Sequence, residues 1–243
     1  MAESYLQDLA YIHHAGFGDF AVEAAPGVVS MLRAHAIEAG VVVELGCGSG
    51  LLARELARAG YDVVGIDASA AMLDIAAATA PSARLFRCSL HEADIPRCDA
   101  VVSLGECIGY LPQHDACVDL HSLFERVAAA LRPGGLFVFD LVRATDAEPM
   151  SYRTWRAGPD WAVLIEVEED AQNRRLRRGI VAFRAVGGAW RRSQETHWLQ
   201  LFTREEVAAA LRAAGFSARE LAGYGSRSLA PQRVAFAAIR GGA

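Results

Sequence analysis

The segment VVVELGCGSG (residues 41–50) joins a β-branched run to three glycines on alternate positions. The β-branched run predicts a buried strand, and the glycines predict a tight turn that can adopt positive φ and let a ligand approach bare backbone. Residues 51–58 then begin a helix, whose free N–H groups point back at the turn. This strand–turn–helix unit predicts a nucleotide-type cofactor site, with Glu44 placed to pair with a cation held over the turn.

A second strand, residues 61–66, ends at Asp67. A carboxylate at the tip of the second strand is placed to accept hydrogen bonds from both hydroxyls of a ribose. Ser69 is suited to cap the next helix, and Met72 falls on its first turn near an adenine. A dinucleotide site uses similar elements, but its Gly-x-Gly-x-x-Gly fingerprint requires a glycine where this chain has Leu51. The pattern therefore favours a single nucleoside over a dinucleotide.

The same residues, with Gly65-Ile66-Asp67-Ala68-Ser69, resemble the cofactor half of class I S-adenosylmethionine-dependent methyltransferases, over about residues 41–139. The resemblance implies an α/β fold with a doubly wound, Rossmann-like sheet of seven strands, the last antiparallel. It also implies S-adenosylmethionine as cofactor, with Glu44 neutralising its ammonium group and Asp67 binding its ribose, and S-adenosylhomocysteine as product. The expected cofactor contacts are Tyr11, Glu44, Gly46, Cys47, Gly48, Gly50, Asp67, Ala68, Met72, Ser89, Leu90 and Leu104.

The loop after the third strand departs from that family. Its members commonly have an acidic residue there, which accepts from the adenine amino group, whereas this chain has Ser89. The adenine contact then falls to the Ser89 hydroxyl or to the backbone of Leu90. His91 is interpreted as a surface residue at a helix start.

Composition and charge exclude several classes of partner. A net charge of −5 and a pI near 5.8 argue against a nucleic-acid partner, whose phosphates favour a basic face. The five cysteines include no close C-x-x-C pair, which argues against a metal site and fits a reducing cytoplasm. No apolar run reaches membrane-spanning length, and the N-terminus lacks a signal pattern. We expect a cytoplasmic protein with a small-molecule substrate and no membrane partner.

The chain divides into three parts by composition. Residues 1–40 are expected to form an N-terminal helical arm, whose aromatic-rich residues 1–20 either close over the cofactor or pack on the sheet. Residues 41–150 and 201–243 are expected to form the cofactor domain. Residues 151–200 alternate in polarity and predict an antiparallel β insertion of three strands, serving as a substrate lid or a homodimer contact. Its basic patch, Arg174, Arg175, Arg177 and Arg178, is interpreted as a solvated turn.

The loop after the fourth strand, residues 103–110, is expected to face the reacting methyl group, because ligands lie at the carboxyl ends of strands in such sheets. Glu106 and Tyr110 are its candidate substrate contacts. The alternatives are a cap or surface carboxylate for Glu106 and a packed ring for Tyr110. The loop lacks the Asn/Asp-Pro-Pro-Tyr/Phe signature, which argues against DNA and many RNA bases as acceptors.

Glu195 and His197 share one face of a predicted strand. A carboxylate can fix the tautomer of an imidazole and raise its basicity, so this pair is the first candidate for a general base. The alternative is a salt-bridged pair in a sheet or dimer contact. His13 and His14 are the second candidates.

The run from Val101 to Leu111 and the β insertion are similar to small-molecule methyltransferases that act on amino sugars and other natural-product amines. This resemblance implies methylation of a nitrogen or oxygen of a small metabolite. A tRNA- or protein-directed methyltransferase is an alternative that the acidic charge disfavours. A non-catalytic S-adenosylmethionine-binding protein is another, which retention of both Glu44 and Asp67 disfavours.

Overall fold

A computed structural model describes residues 4–144 and 148–242. The helices are α1 Gln7–Phe17, α2 Asp19–Ala34, α3 Leu51–Arg58, α4 Ala70–Thr79, α5 Leu120–Ala130 and α6 Arg204–Ala213. The strands are β1 Gly40–Leu45, β2 Tyr61–Asp67, β3 Arg84–Arg87, β4 Cys98–Ser103, β5 Tyr110–Leu111, β6 Leu131–Val142, β7 Ser151–Ala157, β8 Trp161–Asp170, β9 Arg175–Val186, β10 Ala189–Gln200, β11 Phe216–Leu221, β12 Gly223–Tyr224, β13 Arg227–Ser228 and β14 Arg233–Arg240. No helix in these two ranges is both long enough and apolar enough to span a membrane.

The main sheet has seven strands in the order β11-β14-β6-β4-β1-β2-β3. The last strand, β14, runs antiparallel to both of its neighbours, which confirms the predicted architecture. β1 pairs in parallel with β2 on one side and with β4 on the other. The strand order reverses at β1, and the carboxyl ends of β1, β2 and β4 therefore meet where a ligand is expected.

Helices cover both faces of this sheet, as a parallel sheet requires. α5 and α6 pack on one face against Val43, Val101 and Phe137. α2 and α3 pack on the other face against Val42 and Val102. The site is therefore carried on strands buried from both sides.

A second, antiparallel sheet has five strands in the order β5-β10-β9-β8-β7. Residues 151–200 form four of these strands, β7 to β10, so the prediction of three strands there was wrong. The strand that was missed, β7, is an exposed edge strand that lacks the alternating burial of a half-buried strand. β5 pairs Leu111 with Trp198, so it joins the loop after β4 directly to the second sheet.

Side-chain caps start three of the helices. Ser69 caps α4, as expected, and Thr203 forms a capping box with Glu206 at the start of α6. Asp119 caps α5 by accepting from the Ser122 N–H (3.1 Å), and β6 starts at Leu131, directly after α5. At the N-terminus, α1 packs against α4 and the second sheet, whereas α2 packs against α3.

Candidate active site

A cavity of about 1120 Å³ opens at the carboxyl ends of β1, β2 and β4, and residues of α1 and the second sheet also line it. This volume slightly exceeds the range of about 300–1,000 Å³ that is usual for small-molecule sites, which suits two ligands side by side. Most of the predicted cofactor contacts line this cavity: Glu44, Gly46, Cys47, Gly48, Asp67, Ala68, Met72, Ser89, Leu90 and Leu104. Gly50 and Tyr11 are not among its lining residues.

The glycine turn has the predicted backbone, with positive φ at Gly46, Gly48 and Gly50. A Cβ on Gly46 would lie 2.5 Å from the Cys107 sulfur, so only glycine fits there. A Cβ on Gly48 would meet no protein atom within 4 Å, which leaves the space over the turn open to a ligand. Gly50 instead starts α3, close to Ala76.

Asp67 is oriented by two backbone groups. The Gly48 N–H donates to its Oδ2 and the Ser69 N–H donates to its Oδ1, each at 2.8 Å. Burial raises the pKa of Asp67, and the backbone hydrogen bonds oppose that rise. Each carboxylate oxygen keeps further acceptor capacity, so both can receive ribose hydroxyls.

Glu44 is only 4% exposed, and its Oε2 has no hydrogen-bond partner among residues 4–144 and 148–242. Burial, reinforced by the charge of Asp67, raises the pKa of Glu44 well above its usual range. A buried carboxylate without a partner is costly, and a ligand ammonium group would supply one. Glu44 and Asp67 therefore fit the amino acid end and the ribose of S-adenosylmethionine.

The prediction for Tyr11 was wrong. Its hydroxyl donates to Asp160 (2.7 Å), and the Arg184 guanidinium lies 3.7 Å from its ring centroid. Tyr5 lines the cavity instead. The aromatic composition of the N-terminus was a valid signal, but the side chain that reaches the cavity depends on how α1 docks.

Tyr5 connects both sides of the cavity. Its carbonyl accepts from the Ser69 hydroxyl beside Asp67 (2.8 Å), and its own hydroxyl lies 2.8 Å from that of Tyr110. Its φ of 58° is rare for a residue with a side chain, and such conformations persist where surrounding contacts over-determine them.

Glu106 and Tyr110 both line the cavity but are already engaged. Glu106 accepts from Arg178 (2.9 Å) and pairs with Arg233. Burial opposes its ionisation, but the two guanidinium groups outweigh burial and lower the pKa of Glu106. The Tyr110 hydroxyl accepts from Arg178 at 3.0 Å. Glu106 is thus neither a cap nor a surface carboxylate, and its charge is balanced within the protein.

Arg178 was misassigned to a solvated turn. It lies in β9 between Leu176 and Ile180, both buried, and it lines the cavity. The period of two in β9 places Arg178 on the apolar face, and that alternation was the available signal. Asp140 completes this charged group: it accepts from the Gly105 and Glu106 N–H groups, at 3.0 and 2.9 Å.

Glu195 and His197 share a buried face of β10, with 2.9 Å between Oε2 and Nε2. Neither lines the cavity, and the His197 ring contacts the cavity-lining ring of Tyr5. Glu195 also accepts from the N–H groups of Tyr5 (2.7 Å) and Leu6 (3.0 Å). This geometry does not support the general-base assignment; it places Glu195 as the anchor of the chain just before α1.

His13 does line the cavity. Burial, with the charge of Arg178 second, lowers the pKa of His13 to about 4, so the ring is neutral at pH 7. Its Nδ1 is buried without a partner in the described part of the chain. His14, the neighbouring candidate, lies 2.9 Å from the Ser49 hydroxyl at the glycine turn.

Solved structures with the same fold include an S-adenosylmethionine-dependent methyltransferase from Clostridium acetobutylicum ATCC 824 (TM-score 0.80, 18% identity, 96% of this chain and 98% of that one). A sugar N-methyltransferase from Streptoalloteichus sp. ATCC 53650 superposes with a TM-score of 0.79 at 20% identity, over 100% of this chain and 96% of that one. Fold and site together define a class I methyltransferase.

The family model described as a methyltransferase domain matches residues 21–221, and the chain belongs to that family. A curated relative, the dTDP-3-amino-3,6-dideoxy-alpha-D-glucopyranose N,N-dimethyltransferase of Streptomyces fradiae, is 28% identical over 225 residues, covering 90% of this chain and 86% of the relative. The ubiquinone biosynthesis O-methyltransferase of Methylobacterium sp. (strain 4-46) is 27% identical over 230 residues, covering 85% and 83%.

The raised pKa of Glu44 predicts pH-dependent cofactor binding. A bound ammonium group favours the ionised carboxylate, so binding lowers this pKa and releases a proton from protein in which Glu44 is protonated. Affinity for S-adenosylhomocysteine should therefore rise with pH between about pH 5 and about pH 7, where an α-amino group stays mostly protonated. Calorimetry in buffers of different ionisation enthalpy measures both effects. Glu44→Gln should bind about tenfold or more weakly and release less proton; equal proton release by both proteins would contradict the assignment.

The contacts of Glu195 predict that Glu195→Ala loosens the N-terminal arm. Two N–H groups and His197 lose their acceptor, which should lower the free energy of unfolding by about 1–3 kcal/mol. Hydrogen exchange of residues 5–17 should accelerate, whereas Glu195→Gln, which keeps a carbonyl acceptor, should show a smaller effect. Lost turnover with unchanged hydrogen exchange would instead favour the general-base role.

Proposed function

We propose that this protein transfers the methyl group of S-adenosylmethionine to an amine of a small hydroxylated molecule such as an amino sugar. The observation that carries the proposal is one cavity containing both Glu44 and Asp67 at the cofactor end and His13, Tyr110 and Arg178 at the other. The names of the Streptomyces fradiae and Streptoalloteichus proteins support an amino-sugar acceptor.

Methyl transfer to an amine chiefly requires that the protein align the two reactants and exclude water. The sulfonium supplies an activated methyl group, which the acceptor lone pair attacks in line as the sulfur leaves. Holding two reactants in that alignment contributes about 7–11 kcal/mol. Glu44 and Asp67 fix the donor at two points, and the α1 arm and the second sheet enclose the site.

The charges at the acceptor end favour an amine over an anionic group. Two of the arginines that line the cavity, Arg178 and Arg233, face two carboxylates, Glu106 and Asp140. Their charges are thus largely compensated before any ligand binds. His13 is neutral at pH 7 and can accept a hydrogen bond from an amine without adding a positive charge beside the sulfonium.

A methyl-transfer assay with labelled S-adenosylmethionine tests the proposal. Free and nucleotide-linked amino sugars, phenols, bulk tRNA and unfolded protein are compared as acceptors. We expect transfer to the amino sugars, and His13→Phe should lower turnover about a hundredfold with S-adenosylhomocysteine affinity unchanged. His35→Phe, outside the cavity, is the matched control. Transfer confined to tRNA or protein would overturn the proposed acceptor class, and transfer confined to phenols would replace nitrogen by oxygen.

We also propose that the second sheet, residues 151–200, has two roles: its inner face is the lid over the acceptor, and its outer face is a homodimer contact. Trp155 and Leu164 are directly paired on the outer face and are 74% and 49% exposed. Trp190, on the same face, is 61% exposed. Ion pairs of Arg153 and Arg177 with neighbouring glutamates lie beside this apolar surface. Apolar surface of this kind, with a polar rim, is typical of an interface.

Sedimentation of the wild type should give the mass of a dimer, because pairing would cover the outer face of the second sheet. Trp155→Glu with Leu164→Lys should give a monomer that still binds S-adenosylhomocysteine. Phe86→Ser, which removes an exposed ring on the main sheet, should leave the mass unchanged. A wild type that sediments as a monomer at about 100 µM, well above a micromolar dissociation constant, would overturn the dimer.

A further inference from the structure

The strand order indicates where the base of a bound nucleoside lies. Glu44 is the next-to-last residue of β1 and Asp67 is the last residue of β2, so a nucleoside held by both runs from β1 towards β2. The next strand outward is β3, which pairs Asp67 with Arg87. The base must therefore extend over the loop that follows β3, residues 88–91.

His91 belongs to that loop and lines the cavity, so its interpretation as a surface residue was wrong. Its Nε2 is buried and has no hydrogen-bond partner among the residues that the structure describes. The loop is held in place from α5, because Arg126 donates to the carbonyls of His91 and Ala93, each at 2.7 Å. The imidazole is thus carried on a fixed backbone.

The Ser89 hydroxyl, a neighbouring hydrogen-bond acceptor, already accepts one hydrogen bond within the protein. The Ser89 hydroxyl accepts from the His91 N–H (3.3 Å), and this serine stands where an acidic residue would otherwise receive the adenine amino group. An amino group buried without an acceptor would cost about 1–3 kcal/mol. The site therefore needs another acceptor near Ser89.

The protonation state of the His91 ring allows it to be this acceptor. Burial lowers the pKa of His91, outweighing a hydrogen bond to the Tyr110 backbone that raises it, so the ring is neutral near pH 7. A hydrogen bond that raises the pKa of an imidazole is one that the ring donates, so the ring nitrogen bonded to the Tyr110 backbone carries the hydrogen. The unpartnered Nε2 then has the lone pair.

We propose that Nε2 of His91 accepts a hydrogen bond from the 6-amino group of the cofactor adenine and thereby selects a 6-amino purine over a 6-oxo purine. This inference rests on the proposed use of S-adenosylmethionine. The adenine would then be recognised by an imidazole two residues after Ser89, and not by a carboxylate at the position of Ser89.

Calorimetry with S-adenosylhomocysteine and its 6-oxo analogue, S-inosylhomocysteine, tests the proposal without catalysis. The wild type should bind the 6-amino ligand about tenfold or more tightly, the equivalent of one hydrogen bond in a buried site. His91→Phe keeps a ring but has no acceptor, so it should bind S-adenosylhomocysteine about tenfold more weakly and lose most of the preference. His91→Gln restores an acceptor and should recover part of it. Glu92→Ala, at an exposed position directly after this loop, should change neither affinity.

The outcomes separate this inference from the proposed function. Equal weakening of both ligands by His91→Phe would show that the ring only packs against the base, and would overturn the inference. A wild type without preference for the 6-amino ligand would overturn it also, whether or not the variant folds. A wild type that binds neither ligand would overturn the use of S-adenosylmethionine, and this inference with it.

Discussion

The parallel pairing of β1 with β2 and β4 is the constraint on which the site depends. It brings three strand ends to one edge of the sheet, so that Glu44, Asp67 and the loop from Leu104 onward line the same cavity. The strands are buried on both faces, which fixes their register. The carboxylates of Glu44 and Asp67 are thereby held on adjacent strands at one cavity.

A buried group of charges connects this frame to the second sheet. Glu106 follows β4, Arg178 belongs to β9 and Arg233 begins β14. Removing one partner of such a group leaves an uncompensated buried charge, which typically costs about 3–5 kcal/mol. The arginine and carboxylate charges of this group are therefore balanced within the protein.

Local sequence patterns were sufficient to predict which residues form the cofactor end of the site. The glycine turn, Glu44 and Asp67 lie within one strand–turn–helix–strand unit, so the chain order itself sets their positions. The rest of the site depends on how distant segments pack together, which local patterns do not show. The shared face of Glu195 and His197 was predicted, but the sequence could not show that the Tyr5 segment covers them.

Arg178 and β7 are two features of the second sheet that sequence patterns did not predict. An arginine between two apolar residues was hidden inside a basic run, and an edge strand without a buried face has no alternation to detect. Sequence periodicity reports burial on one face, and it fails where a charge is buried or where a strand is held only by its backbone pairing.

The bridging position of Tyr5 has a consequence for how the two sides of the cavity are connected. Its backbone carbonyl accepts from the Ser69 hydroxyl beside Asp67, and its own hydroxyl lies 2.8 Å from that of Tyr110. A displacement of this one residue would therefore break contacts on both sides of the cavity at once.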